Sequence, residues 1–381
     1  MLILVSIAVL AWLLLLTARG GFWRADQRLG PGVAAPETWP EVVVLIPARN
    51  EAETIGPVLE SHGFSEYLGA LTVVLVDDGS ADDTAGIARR VAGFSPRPIR
   101  VVSAPALPKG WTGKLWALET GYRVLDRLAP GAELILLTDA DIAHKPDTLA
   151  GLVEVMLSGG RHLVSLMARL DARGFWGGLL IPAFLFFFQK LYPFAWVNDP
   201  ARATAGAAGG CIMLRRDVLD RIGGFGAVRG ALIDDCALAA AVKAQGGAIW
   251  LGLAGDEVTS LRDNRRLGAI WRMVARTAFT QLGHSAAMLG AAVAGMALIY
   301  LAGPIAVLGF PWHQNPLAAT LGAVAWMLSG LAYLPTLRLY GKPAWQALGL
   351  PLAAAFYMAM TISSATAHWR GQGGRWKGRS Y

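Results

Sequence analysis

The chain has 381 residues, of which 54% are hydrophobic and only 16% charged, with a mean hydropathy of +0.44. Those values exclude an ordinary soluble domain, and two cysteines, Cys211 and Cys236, exclude a disulfide framework. The net charge of +7 could suit nucleic acid, but much of the excess (Arg19, Arg24, Arg28, Arg338, Lys342, Arg370) flanks apolar segments, where it suits anionic lipid headgroups.

In chain order, residues 2–18 carry no Asp, Glu, Lys or Arg. They lack the basic leader and cleavage site of a signal peptide, so an uncleaved membrane anchor is expected over 1–20. Arg19, Arg24 and Arg28 follow, which by the positive-inside rule places the next domain in the cytoplasm, on the inner face of the cell membrane. That domain runs over 37–276. Its first half alternates strand-like runs (EVVVLIPA, LTVVLVDD, a short one at 99–102, ELILLTDA) with helical stretches. Such an order predicts an α/β fold: a mostly parallel, Rossmann-like sheet with helices on both faces. No P-loop or GxGxxG pattern follows the first strand, and no nucleic-acid motif is present. Residues 174–197 are apolar and aromatic. A single crossing there would separate acids expected to share a site, so the segment reads as interfacial or re-entrant, with a buried core helix as the alternative. Residues 277–337 and 343–369 are again uncharged, enough for two or three spans in a 277–369 membrane region, before a basic-aromatic tail at 370–381. Three crossings would leave that tail outside, against the positive-inside rule. The segment containing Pro351 is therefore expected to be re-entrant.

Three acid clusters stand out: Asp77-Asp78, Asp139 with Asp141, and Asp234-Asp235. The first two follow strands, and an open α/β sheet binds ligands beyond the carboxyl ends of its strands. Clustered carboxylates need a cation to offset their repulsion. Alternate residues of an extended segment face one way, so Asp139 and Asp141 can meet one ligand. Oxygen ligands of this kind suit Mg2+ or Mn2+ shared with substrate phosphates. Asp78 could accept from a base or ribose, although a turn aspartate would look alike. Asp82 and Asp83 read as helix caps, as does Asp234, which precedes CALAAAVKAQ; Asp235 is left for proton removal.

The ordered set IPARNEAETI, VVLVDDGSADDT, GKLWALETG, LTDADI, GGCIMLRRDVLDRIGGFG and IDDCALA resembles family-2 glycosyltransferases of the GT-A fold. Through WTGKLWA, RGALIDDCALA and WRMVARTAFTQL it is most similar to hopanoid-associated membrane glycosyltransferases, and it also resembles ceramide and carotenoid glycosyltransferases. The resemblance implies an inverting transfer of one sugar from a nucleotide-sugar, UDP-linked, to a lipid hydroxyl such as a hopanoid's, with a polyprenyl phosphate as the alternative acceptor. A non-catalytic nucleotide-sensing scaffold is the rival from another class. By resemblance, Pro47, Arg49, Asn50, Glu51, Asp77 and Asp78 hold the donor's nucleoside. Asp141 holds the metal, and Asp139 the metal or the sugar. Asp235 is the general base, beside Asp234. Lys114 reaches the phosphate or base, Gly209, Gly210 and Trp196 face the acceptor, and Arg272 or Arg276 meets the diphosphate. The last assignment rests on a degraded motif, because Thr277 stands where the family has Trp.

Overall fold

The computed structural model describes residues 1–30 and 35–373. Most of the expected tail, including Trp376, Lys377 and Arg379, lies outside them. Nine strands form: β1 Val42–Ala48, β2 Leu71–Asp77, β3 Ile99–Ser103, β4 Leu134–Leu137, β5 Ile142–His144, β6 Leu163–Met167, β7 Ile212–Arg215, β8 Ile249–Leu253 and β9 Val258–Ser260. Seven build one sheet in the order β3-β2-β1-β4-β7-β6-β8, and β5 pairs with β9 in a small second sheet. The β3-β2-β1-β4 half is parallel, as is β6 with β8, but β7 runs antiparallel to both neighbours. The expected mostly parallel sheet is therefore a mixed one, hinged on a single reversed strand.

All seven residues of β1 are buried, which explains why it reads as an unbroken apolar run instead of an alternating one. Its side chains still divide by face. Val42, Val44 and Ile46 join a core with the helices Ile55–Gly63, Thr84–Ala92 and Thr148–Ser158. Val43 and Leu45 join the opposite core with the helix Gly113–Arg123. That helix lies so close to the sheet that a Cβ on Gly121 would stand 2.3 Å from Leu45 and 2.8 Å from Val76.

The second core does not stop at the catalytic domain. It runs through Leu180, Phe186 and Phe187 to Tyr333, Tyr357 and Trp12, and so into the apolar helices. Among the described residues, four helical segments are long and apolar enough to cross a membrane: Gly174–Val197, Ala286–Leu308, Pro316–Leu339 and Ala344–Trp369. The N-terminal helix Leu2–Ala18 is shorter. At about 1.5 Å per residue it falls a few ångströms short of a hydrocarbon core of about 30 Å. It packs on the Pro316–Leu339 helix, and Trp12 donates to the Ile299 carbonyl at 2.7 Å. Gly174–Val197 is the most enclosed of the four segments and packs against both Pro316–Leu339 and Leu350–Trp369. It thus has the buried character of the alternative reading of this segment.

The last segment does not simply run away from the catalytic domain. Lys342 donates to Ala172 O at 2.8 Å, and Leu348 O accepts from Trp326 in the middle of the preceding helix at 3.3 Å. At its other end the His368 ring stacks on His284, 4.2 Å between centroids, just before the Ala286–Leu308 helix begins.

Candidate active site

Parallel pairing fixes where the acids go. Ala48 is in register with Asp77, and Leu45 with Leu137, so the carboxyl ends of β1, β2 and β4 share one rim. The β1 loop crosses that rim. Arg49 donates to the Asp78 carbonyl and stands 3.9 Å from its carboxylate, which is buried. Asn50 adopts a left-handed φ of 52° and interlocks with the next loop, accepting from Ala81 N at 2.8 Å and donating its own N–H to Ser80 Oγ at 2.9 Å. Asp77 spends its carboxylate on the Ser80 hydroxyl and N–H, holding the turn. Of the two expected caps, Asp82 accepts from Thr84 N at 3.1 Å. Asp83 instead pairs with Arg90 at 2.9 Å and makes no side-chain cap bond.

Lys114, in the first turn of its helix, lies between two acid clusters. Its Nζ stands 3.0 Å from Asp139 Oδ1 and 3.1 Å from Asp234 Oδ2. Burial disfavours the ammonium, but Asp139, Asp234 and Asp235 together outweigh it and hold its pKa above the ordinary lysine value. Asp234 is therefore not the helix cap the sequence suggested: it makes no capping bond, and its carboxylate goes to Lys114.

Asp235 is held by two backbone donors, Gly209 N at 2.8 Å and Cys236 N at 2.7 Å. Burial and the neighbouring Asp234 push its pKa up to about 6, against the opposing pull of Lys114 and the two N–H groups. Gly209 has to be small. A Cβ there would lie 3.0 Å from Lys114 Nζ and 3.2 Å from Asp235 Oδ2. Gly210 packs on Ile142, and its carbonyl accepts from Thr138 at 2.8 Å. Pro47, Lys114, Asp139, Gly209, Asp234 and Asp235 line one cleft, about 300 Å³ of empty space open to solvent.

Asp141 lies beside this cleft, buried, accepting from Ser260 Oγ at 3.3 Å and paired with Arg262 at 2.6 Å. Burial and Asp139 raise its pKa, while Arg262 opposes them. Arg262 also reaches Glu51, at 3.2 Å. Sequence reasoning missed this arginine. It stands in the run LRDNRR, where nothing distinguishes it from Arg265 and Arg266. Arg272 and Arg276 are exposed and make no ion pair to the three acid clusters. Trp196 is not in the cleft lining; its ring is held between the guanidinium groups of Arg19 and Arg202, 4.9 Å and 5.2 Å from them.

Among the described residues, no group of three or more His, Cys, Asp or Glu side chains is arranged to hold a metal by itself. Asp139 and Asp141 supply two carboxylates. That fits a hard divalent cation whose remaining ligands are water and substrate phosphate, the usual arrangement for Mg2+.

Three comparisons bear on this geometry. A mannosyltransferase from Pyrobaculum calidifontis, solved with GDP-Man and Mn2+, shares the fold: TM-score 0.56, 23% identity, covering 96% of this chain and 99% of that one. An N-acetylglucosaminyltransferase of Mesorhizobium japonicum is 37% identical over 119 residues, 30% of this chain and 26% of its own length. An undecaprenyl-phosphate 4-deoxy-4-formamido-L-arabinose transferase of Serratia proteamaculans is 28% identical over 121 residues, 31% of this chain and 34% of its own length. The chain thus spans less than half the length of the curated relatives it matches. The motifs resembled family 2, whereas the family profile that matches, over residues 1–378, is that of glycosyl transferase family 21. The chain belongs to glycosyl transferase family 21 and is a glycosyltransferase.

Proposed function

We propose that this protein is a membrane-bound, inverting glycosyltransferase of the GT-A type that moves one sugar from a nucleotide-sugar to a lipid at the cytoplasmic leaflet. The observation that carries the reading is Lys114, which ties the donor-side Asp139 to Asp234, next to the buried base Asp235, in one cleft. The domain limits are those expected from the sequence: an anchor at 1–20, a catalytic domain at 37–276 and a membrane region at 277–369. The β1 loop and Asp78 hold the nucleoside, and Asp139 and Asp141 hold Mg2+ or Mn2+ with the diphosphate. When bound, the metal offsets charge on the departing diphosphate. Lys114 adds a fixed positive charge on the same side. Asp235, oriented by Gly209 N and Cys236 N, takes the acceptor's proton as its oxygen attacks the anomeric carbon. The segment 174–197 forms the acceptor entrance, since Tyr192 at its end contacts Cys236, the neighbour of the base.

Two acceptor classes have separate support. A polyprenyl phosphate is favoured by the Serratia relative. It also suits the membrane-side cations Arg19 and Lys190, which make no ion pair with a carboxylate; Lys190 bonds only the Tyr300 hydroxyl at 2.8 Å. A lipid hydroxyl, such as a hopanoid's, is favoured by Asp235 itself. A phosphate is already an anion near neutral pH, whereas a hydroxyl needs a base. Purified protein in lipid nanodiscs, supplied with metal and nucleotide-sugars, distinguishes them by mass spectrometry of product from undecaprenyl phosphate or from a polycyclic lipid alcohol. Asp235→Asn lowers hydroxyl glycosylation by about 100-fold or more, but phosphate glycosylation by less than about tenfold. Product from neither acceptor rejects the lipid reading.

A further inference from the structure

We infer that Arg262 is a built-in stand-in for the divalent cation: it holds Asp141 in the donor-free protein and passes to the donor's diphosphate when the metal arrives. The inference rests on the reading of Asp139 and Asp141 as the metal and diphosphate site. One guanidinium bridges two carboxylates from different loops, with Nε 2.6 Å from Asp141 Oδ2 and Nη2 3.2 Å from Glu51 Oε1. The Asp141 side chain is only 8% exposed, and an ionised carboxylate at that depth requires a positive partner. The Arg262 side chain, by contrast, is 49% exposed and has solvent on its outer side.

The backbone around it is fixed. Leu261 N donates to Asp141 O at 2.8 Å, and Arg262 N to Ser260 Oγ at 3.3 Å, so the loop after β9 stays at the site whatever its side chain does. The other nearby loop arginine, Arg265, is engaged with Asp263 at 2.8 Å.

A metal ion and a guanidinium cannot share Asp141 Oδ2. Both need the same lone pairs, and like charges at contact distance repel. Metal arrival therefore releases Arg262 beside the position of the incoming phosphates. A planar guanidinium matches phosphate oxygens in a two-point geometry that an ammonium does not. Metal binding without donor is weakened by the competition, while the ternary state gains an extra contact. The exchange makes metal and donor bind cooperatively.

The test uses the full-length protein in nanodiscs, with Arg262→Ala and Arg262→Gln; the Gln variant keeps bulk and hydrogen bonding should the Ala variant fold poorly. Binding of Mn2+ alone is followed by electron paramagnetic resonance, then binding of UDP and of GDP at saturating Mn2+ by calorimetry. Removing the guanidinium should tighten Mn2+ binding alone by about tenfold and weaken nucleotide binding with Mn2+ by about tenfold. Unchanged or weaker Mn2+ binding in the variants overturns the stand-in role. Unchanged nucleotide affinity overturns the hand-over. If the unsubstituted protein binds no Mn2+ even with either nucleotide, the metal reading itself falls and this inference with it.

Discussion

Asp235 carries the largest functional consequence of any single side chain. Its carboxyl is buried beside Asp234, which raises its pKa to about 6, and a base must be deprotonated to act. For an acceptor that must lose a proton, kcat/KM should rise with pH along a limb centred near 6 and level off above it. Lys114→Met removes the charge that opposes the shift, so in that variant the limb should move to higher pH. A limb that moves down, or stays in place, counts against Asp235 as the titrating base. The Lys114 bridge also shows what a sequence conceals at this scale. A carboxylate at the head of a helix looks like a cap whether it bonds the backbone or a lysine from another segment. Asp234 and Lys114 are brought together only by the tertiary fold. The pairing of Arg262 with Asp141 is hidden for the same reason.

At the scale of elements, strands were easier to read than their direction. The runs VVVLIPA and LTVVLVD announce buried strands because both faces are covered, and their carboxyl ends carry the acids wherever the sheet is parallel. Nothing in IMLR says that β7 runs backwards, because a period of two is the same in either direction. The helix Ile55–Gly63 and strand β5 offer another consequence of packing. His62 and His144 are both buried with their rings 4.6 Å apart, and His62 Nε2 and His144 Nδ1 have no hydrogen-bond partner. Burial lowers the His62 pKa to about 4; burial and then His62 depress that of His144. The folded protein therefore refuses protons that the unfolded chain accepts below about 6.5, so this pair makes stability fall as pH drops from about 6.5 toward 4. His62→Leu should flatten that part of the stability-against-pH curve by close to one proton's slope, read from thermal melts in detergent. Equal slopes in both proteins would dismiss the pair as an acid-sensitive element.

For the whole molecule, the open question in the sequence was where the chain ends up. The contacts of the last segment run from Lys342 at the catalytic domain, down beside Trp326, and back to His284. We read that course as re-entrant, which returns residue 372 to the catalytic side and leaves the Phe310–His313 turn, with Trp312 84% exposed, at the far face. In intact cells a cysteine placed at Trp312 should react with an impermeant thiol reagent, and one at Gln372 only after the membrane is opened. Labelling of residue 372 from outside would mean that the segment crosses.

The shared core beneath the sheet has a further implication. Because Val43, Leu45, Phe186, Tyr333 and Trp12 belong to one packed interior, the catalytic cleft is not tethered to the bilayer by a flexible stalk. Its height above the lipid is set by side-chain packing. The bilayer then acts as a ruler, admitting to Asp235 those lipids whose reactive oxygen rides at the matching depth and sorting acceptors by how far their head protrudes as well as by what it is.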